Sequence, residues 1–220
     1  MAFSGFTDET VPWFEGLMVN NSRDYFLANR KVYDRSVRGP LTELLFDLSV
    51  RIGGEPKHFR QNRDIRFSTD KSPYKSNSSG LLINVPGTSA VYYVSVSADG
   101  IHAATGYHQM SQDQLIRYRK SLTTAVGAFE RGAHLRDILG VLGKHSLTVD
   151  TDSLSGLPRG IQKDSLNIDL VRYKTLTASK FLEPEKMNDS SVLDWICEAW
   201  SDSGELNKWL DENVGAAISV

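Results

Sequence analysis

The spacing of apolar residues changes period twice along this chain, which restricts it to folds that pair a sheet with helices. From residue 7 to 53 the period is helical: Trp13, Phe14, Leu17 and Met18 form a short stripe. Phe26, Tyr33, Val37, Leu41, Leu44, Leu45, Leu48 and Ile52 form a longer one. Asn20, Asn21 and Ser22 supply turn and N-cap chemistry between two helices, Pro40 interrupts the second, and Gly53-Gly54 ends it. From about 58 to 106 the period becomes two. Ile65 and Phe67 alternate with Arg66 and Ser68, Leu81 to Val85 is a compact apolar run, and Val91 to Ser97 is β-branched and aromatic. Asp99-Gly100 predicts a hairpin turn into a return strand from Ile101 to Thr105. Helical spacing then resumes. Ser111 to Gln114 has capping-box form ahead of Leu115, Tyr118, Leu122, Ala125, Val126 and Phe129, and a shorter helix is expected around Leu135, Ile138, Leu139 and Leu142. Leu147 to Val149 and Leu176 to Leu182 read as strands, and helices over 189–214 carry Trp195, Trp200 and Trp209 as core residues. No linker, charge block or repeat divides the 220 residues, so the expectation is one α+β domain over 1–220, with an antiparallel-rich sheet packed against several helices.

Composition excludes several function classes. The 25 Lys and Arg against 27 Asp and Glu give a net charge of −2, so no global field draws the chain to nucleic acid or acidic membrane, and any anion preference is local. Cys197 is the single cysteine, which rules out an intrachain disulfide and reads as a buried structural thiol. No stretch approaches the ~18 apolar residues of a membrane span. The opening residues lack the basic and apolar regions of a secretory signal, so a cytoplasmic location is expected. The five histidines form no H-x-H or HExxH pair, no metal site is predicted, and no cofactor is identified. Gly140 to His145 lacks the spacing and hydroxyl of a phosphate loop.

One segment concentrates charge. Residues 57–75 hold six Lys and Arg against two Asp, so +6 − 2 = +4, leaving −6 for the rest of a chain whose total is −2. If Ile65 and Phe67 point into a core, strand alternation places Arg60, Asn62, Asp64, Arg66 and Ser68 on the opposite face. Guanidinium groups so arranged can grip several oxygens of a phosphate, sulfate or carboxylate. The turn after them, Ser68 to Lys75, presents hydroxyls, Lys71, Lys75 and the Tyr74 phenol. The same Arg and Asp alternation also suits an ion-pair network bracing a sheet, with Tyr74 capping the core.

At this segment the sequence resembles the bacterial and fungal family known as domain of unknown function 2461. The resemblance is carried by Arg63-Asp64-Ile65-Arg66-Phe67-Ser68-Thr69-Asp70-Lys71-Ser72-Pro73-Tyr74-Lys75, which is similar to the family's arginine, aspartate, serine, proline and tyrosine signature. Phe3 to Phe6 and Asn20 to Phe26 resemble its opening, with Tyr25 where a tryptophan is common. Leu157-Pro158-Arg159-Gly160 and Leu170 to Lys174 resemble a later block, so the likeness covers about 3–182. It implies a stand-alone cytosolic domain of mixed α and β structure and nominates Arg63, Asp64, Arg66, Asp70, Lys71, Tyr74, Lys75, Arg159 and Lys174. It carries no activity, substrate or cofactor.

Three functional readings follow from these residues. In the first, Arg60, Arg63, Arg66, Lys71, Lys75 and Arg159 form an electropositive pocket for a small phosphorylated or anionic ligand. His108, ahead of the Ser111 helix N-terminus, is a secondary anion contact, although capping by Ser111 alone accounts for that turn. If the protein is a hydrolase or transferase, Asp64 is the candidate base or arginine orienter and Tyr74 a donor to developing charge. In the second, segment 57–75 binds nucleic acid, with Phe59, Phe67 and Tyr74 stacking. In the third, the Arg and Asp network is structural and the protein is a non-catalytic interaction module. Oligomeric state has no signal in the sequence.

Overall fold

The N-terminal stripes become helices where side chains can satisfy their ends. In the computed structural model, which describes residues 2–218, α1 spans Thr10–Val19 and α2 spans Arg23–Ala28. Ser22 caps α2 by accepting from the Tyr25 amide at 3.2 Å. A short α3, Arg30–Tyr33, runs into a π-turn over Asp34–Arg38 and then α4, Gly39–Ile52. Pro40 sits in the first turn of α4, directly after the π-turn, in a helical run that is unbroken from Arg30 to Ile52. Gly53, at φ 85°, terminates α4.

The strands are β1 Glu55–His58, β2 Asn77–Ile83, β3 Val91–Ser97, β4 Gly100–Tyr107, β5 Thr148–Asp150 and β6 Leu176–Leu182. They form a six-stranded antiparallel sheet in the order β1-β2-β3-β4-β6-β5, within an α+β fold. Later helices are α5 Gln112–Thr123, α6 Ala128–Lys144, α7 Ser191–Asp202 and α8 Gly204–Asn213.

Two compact units are distinguishable, both built from non-contiguous stretches, so no linker separates them in sequence. The first comprises the chain up to Asn84, Tyr93–Ala103 and Phe181–Glu198. Its buried side chains include Trp13, Phe14, Leu17, Phe26, Tyr33, Val37, Leu41, Leu44, Leu45 and Leu48 from the helices, and Leu82, Val94, Val96 and Ile101 from the strands. Met18, expected on the first stripe, is instead 64% exposed. Cys197 is half-buried, and burial pushes its thiol up. The second unit comprises Val85–Tyr92, Ala104–Lys180 and the chain from Ala199 onward. Its core gathers Tyr107, Leu115, Tyr118, Leu122, Leu135, Ile138, Leu170, Leu176 and Trp209. The predicted capping box is formed: Ser111 accepts from the Gln114 amide, and Gln114 accepts from the Ser111 amide at 3.0 Å.

Candidate functional site

The charged segment is a long excursion between β1 and β2, residues 59–76, and the strand expected around Ile65 and Phe67 does not form. Phe67 is 96% exposed. The alternation fails because local side chains capture the backbone first: Asp64 accepts from the Arg66 amide at 3.2 Å, and Asp70 from the Ser72 amide at 2.9 Å. Connections this long inside a compact unit are uncommon and are commonly functional or mobile. Here the base of the loop is fixed.

Four sets of contacts hold that base. The two limbs close through Arg63 N–H to Pro73 O and Lys75 N–H to Gln61 O, both 2.9 Å, bridging Asn62 and Tyr74. Asn21 clamps the Tyr74 backbone, donating to its carbonyl at 3.0 Å and accepting from its amide at 3.1 Å. The Tyr74 ring stacks on Phe26 with centroids 4.3 Å apart and planes 13° apart. Buried Gln61 donates to Lys75 O at 2.6 Å and Asn77 O at 3.1 Å, and its Oε1 accepts from Ser78 Oγ. Tyr74 thus serves as a structural anchor, with only 7% of its surface exposed.

At the tip, both arginines are paired with aspartates. Arg63 bonds Asp70; Arg66 reaches Asp64 through Nε at 3.0 Å and Nη2 at 2.6 Å; and Lys71 Nζ donates to the Ile65 carbonyl at 3.0 Å. The Arg66 side chain is the chief reason the Asp64 carboxyl lies below its usual range, and Arg63 does the same for Asp70. A carboxylate committed to its own arginine is poorly placed to accept a substrate proton. The expected row of guanidinium groups therefore divides: Arg63 and Arg66 are engaged at the tip, while Arg60 remains at the base.

Below the base lies a cavity of about 350 Å³, within the size range of small-molecule sites. Arg30, Arg38, Arg60 and His58 line it together with Asn62, Ser78 and Ser79, against apolar surface from Phe26, Tyr33, Leu41 and Phe59. Among the described residues no carboxylate lines it. Arg30 is paired with Asp34 at 2.8 Å, but among the described residues no carboxylate lies within 4.0 Å of Arg38 or Arg60. Burial, then Arg38, pulls the His58 imidazole below its ordinary value; burial, then Arg60, does the same to Lys75. The Lys75 ammonium lies 5.3 Å from the centroid of the Phe59 ring.

Arg30, Arg38 and His58 were not legible as site residues. A sequence sign for Arg38 is Pro40 interrupting the helical stripe, because the π-turn before it shifts Arg38 by one residue, about 100°, relative to a continuous helix. His58 ends an exposed edge strand, Glu-Pro-Lys-His, with no β-forming composition.

His108 and Arg159 belong to the second unit, and both are exposed. The helix N-terminus after His108 is satisfied by its own chain, since Ser111 caps it and the Asp113 carboxylate in its first turn accepts from Ser111 and from Arg117 at 2.9 Å. Lys174 is paired with Asp152 at 2.9 Å. A second hollow in the first unit, about 640 Å³, is lined by Glu185, Asp189, Asp194 and Glu198 against a single cation, Lys186, a balance of the wrong sign for an anion.

Among the described residues, no helix is long and apolar enough to cross a membrane. No curated protein matches the sequence. The family described as Conserved hypothetical protein (DUF2461) matches residues 9–209, extending past the β1–β2 excursion and through the C-terminal tryptophan helices, and the chain belongs to that family.

Proposed function

We propose that the protein binds a small phosphorylated or otherwise anionic ligand in the cavity beneath the β1–β2 excursion. The observation that carries this reading is a walled hollow with two guanidinium groups, Arg38 and Arg60, that have no carboxylate within 4.0 Å among the described residues, and no acidic side chain among the described residues that line it. Arg30 adds a third guanidinium, and the Asn62 side chain supplies a neutral polar group. Arginine is suited to planar recognition of oxyanions. If the ligand is turned over, His58 replaces Asp64 as the acid–base candidate, because it lines the cavity and its imidazole is not committed to a carboxylate among the described residues. The tip pairs Arg63–Asp70 and Arg66–Asp64 fit the structural part of the third sequence reading.

A thermal-shift titration with inorganic pyrophosphate tests the proposal. Saturation at about 100 times Kd is expected to stabilise the protein by about 2.7 kcal/mol. Arg38→Ala and Arg60→Ala should each remove most of the shift, whereas Arg66→Ala should keep it. A shift abolished by Arg66→Ala and untouched by Arg60→Ala would place the anion at the tip and refute the cavity.

The pH dependence has a definite sign. The folded-state pKa of His58 is depressed, so its stability contribution is present above the unfolded value of about 6.5 and is lost as pH falls through the lower folded value. An anion facing Arg38, Arg60 and Arg30 offsets the repulsion that disfavours the imidazolium. Sulfate, which stays a dianion throughout, should therefore bind more tightly at pH 5.5 than at pH 7.5, and His58→Gln should flatten that dependence. Calorimetric Kd values that do not change between those pH values in the wild-type protein would remove His58 from the site.

A further inference from the structure

The open face of the sheet in the first unit carries a row of four rings, of which the cavity uses only Phe59. Phe59 lies 6.5 Å from Tyr93, Tyr93 lies 6.1 Å from His102, and His102 lies 5.7 Å from Phe181, centroid to centroid. The row runs from the end of β1 across β3, β4 and β6. Strand alternation explains why these residues share a face: Val94, Ile101 and Leu82 are buried on the helix side, so their neighbours Tyr93, His102 and Leu81 turn the other way. Ser79 allows Phe59 to reach Tyr93 across β2, its carbonyl accepting from the Phe59 amide at 2.9 Å. The ends of the row are open, with Phe59 39% and Phe181 55% exposed. The ring pairs are tilted by 47°, 66° and 35°, so none is closed face to face.

We propose that this row is a stacking platform for the bases of single-stranded nucleic acid, entered from the cavity end. The phosphate contacts rest on the cavity reading; the base contacts stand on the rings. Charge complementarity selects this occupant over an apolar protein surface. Phe59 lines the cavity beside Arg60, Lys75 lies over the Phe59 ring, and Lys57, opposite Leu81 in the β1–β2 register, lies on the platform face. Among the described residues none of these three cations has a carboxylate within 4.0 Å. A groove of cations leading onto successive aromatic faces binds single strands with little sequence preference, since every base offers a π-face. His102 is kept toward its neutral form by burial, which suits stacking. The groups differ from those expected in segment 57–75: of its three aromatics only Phe59 takes part, because Tyr74 is stacked under the loop and Phe67 stands apart at the tip.

Fluorescence anisotropy with a labelled oligothymidylate of about 12 nucleotides tests this. Wild-type protein should bind it and prefer it to a duplex of the same length. Phe181→Ala, at an exposed position, should weaken oligonucleotide binding about tenfold while leaving the pyrophosphate thermal shift intact; Tyr93→Ala should do likewise, and Arg60→Ala should reduce both. Oligonucleotide binding that is absent, or insensitive to Phe181→Ala and Tyr93→Ala, while pyrophosphate still stabilises the protein, overturns the platform and leaves the cavity reading standing. Loss of both signals in wild-type protein overturns both. Concentration-dependent dimerisation removed by Phe181→Ala, without oligonucleotide binding, assigns the face to self-association and also overturns the platform.

Discussion

Phe26→Ala is expected to destabilise the protein by about 3–5 kcal/mol, lowering Tm by roughly 10 °C, and to release the excursion between β1 and β2. Phe26 is buried, and its ring meets Trp13 at 5.9 Å, Tyr33 at 5.2 Å and Tyr74 at 4.3 Å. Two of these contacts, with Trp13 and Tyr33, belong to the helical core, and the Tyr74 stack is what ties the loop to that core. Alanine would leave a cavity where the ring stood and remove the surface against which Tyr74 packs. Equilibrium denaturation measures the first effect. Limited trypsin digestion reads the second, through faster cleavage after Arg63, Arg66 and Lys71. Phe26→Leu, which keeps much of the volume but loses the flat stack, should be less destabilised and still show faster cleavage. Unchanged cleavage in both variants would mean that the Asn21 clamp and Gln61 bonds hold the loop without the stack.

Gly100→Ala is expected to cost about 3 kcal/mol or more. The residue has φ +120°, a region open essentially to glycine alone, and a Cβ there would lie 2.0 Å from the Leu182 carbonyl oxygen. That neighbour is backbone of β6, so no side-chain rotation relieves the clash. Gly87→Ala provides the comparison. At φ +78° with nothing within 4 Å of the new methyl group, it should cost only about 1–2 kcal/mol. Equal Tm losses in the two variants would show that backbone conformation alone, and not the approach of β6, dominates at Gly100.

The contrast between Gly100 and the charged excursion explains what was legible in the sequence. The Asp99-Gly100 turn, the strand at Val91–Ser97, the Ser111 capping box and the Leu41 to Leu48 helix face follow from local rules that the tertiary structure respects. Ile65 and Phe67 supplied only four residues of alternation, and the aspartates two residues before Arg66 and Ser72 offered the backbone better local partners than any strand. Periodicity cannot register that competition. Nor does it show that Arg63 and Arg66 are ion-paired while, among the described residues, no carboxylate lies within 4.0 Å of Arg60, because Asp70 reaches Arg63 only after the loop turns back. The cavity draws Arg30 and Arg38 from the helices and His58 from an edge strand, and Ser78 joins them from β2. Such convergence across elements is a property of the fold.

The proposed function requires the anion to sit beneath the loop, away from its tip. Backbone amide chemical shifts during titration with pyrophosphate locate it directly. The predicted result is perturbation centred on His58 to Asn62 and Ser78 to Ser79, saturating together and absent in Arg60→Ala. Perturbation confined to Asp64 to Ser72, or none at concentrations that leave the protein folded, would contradict it.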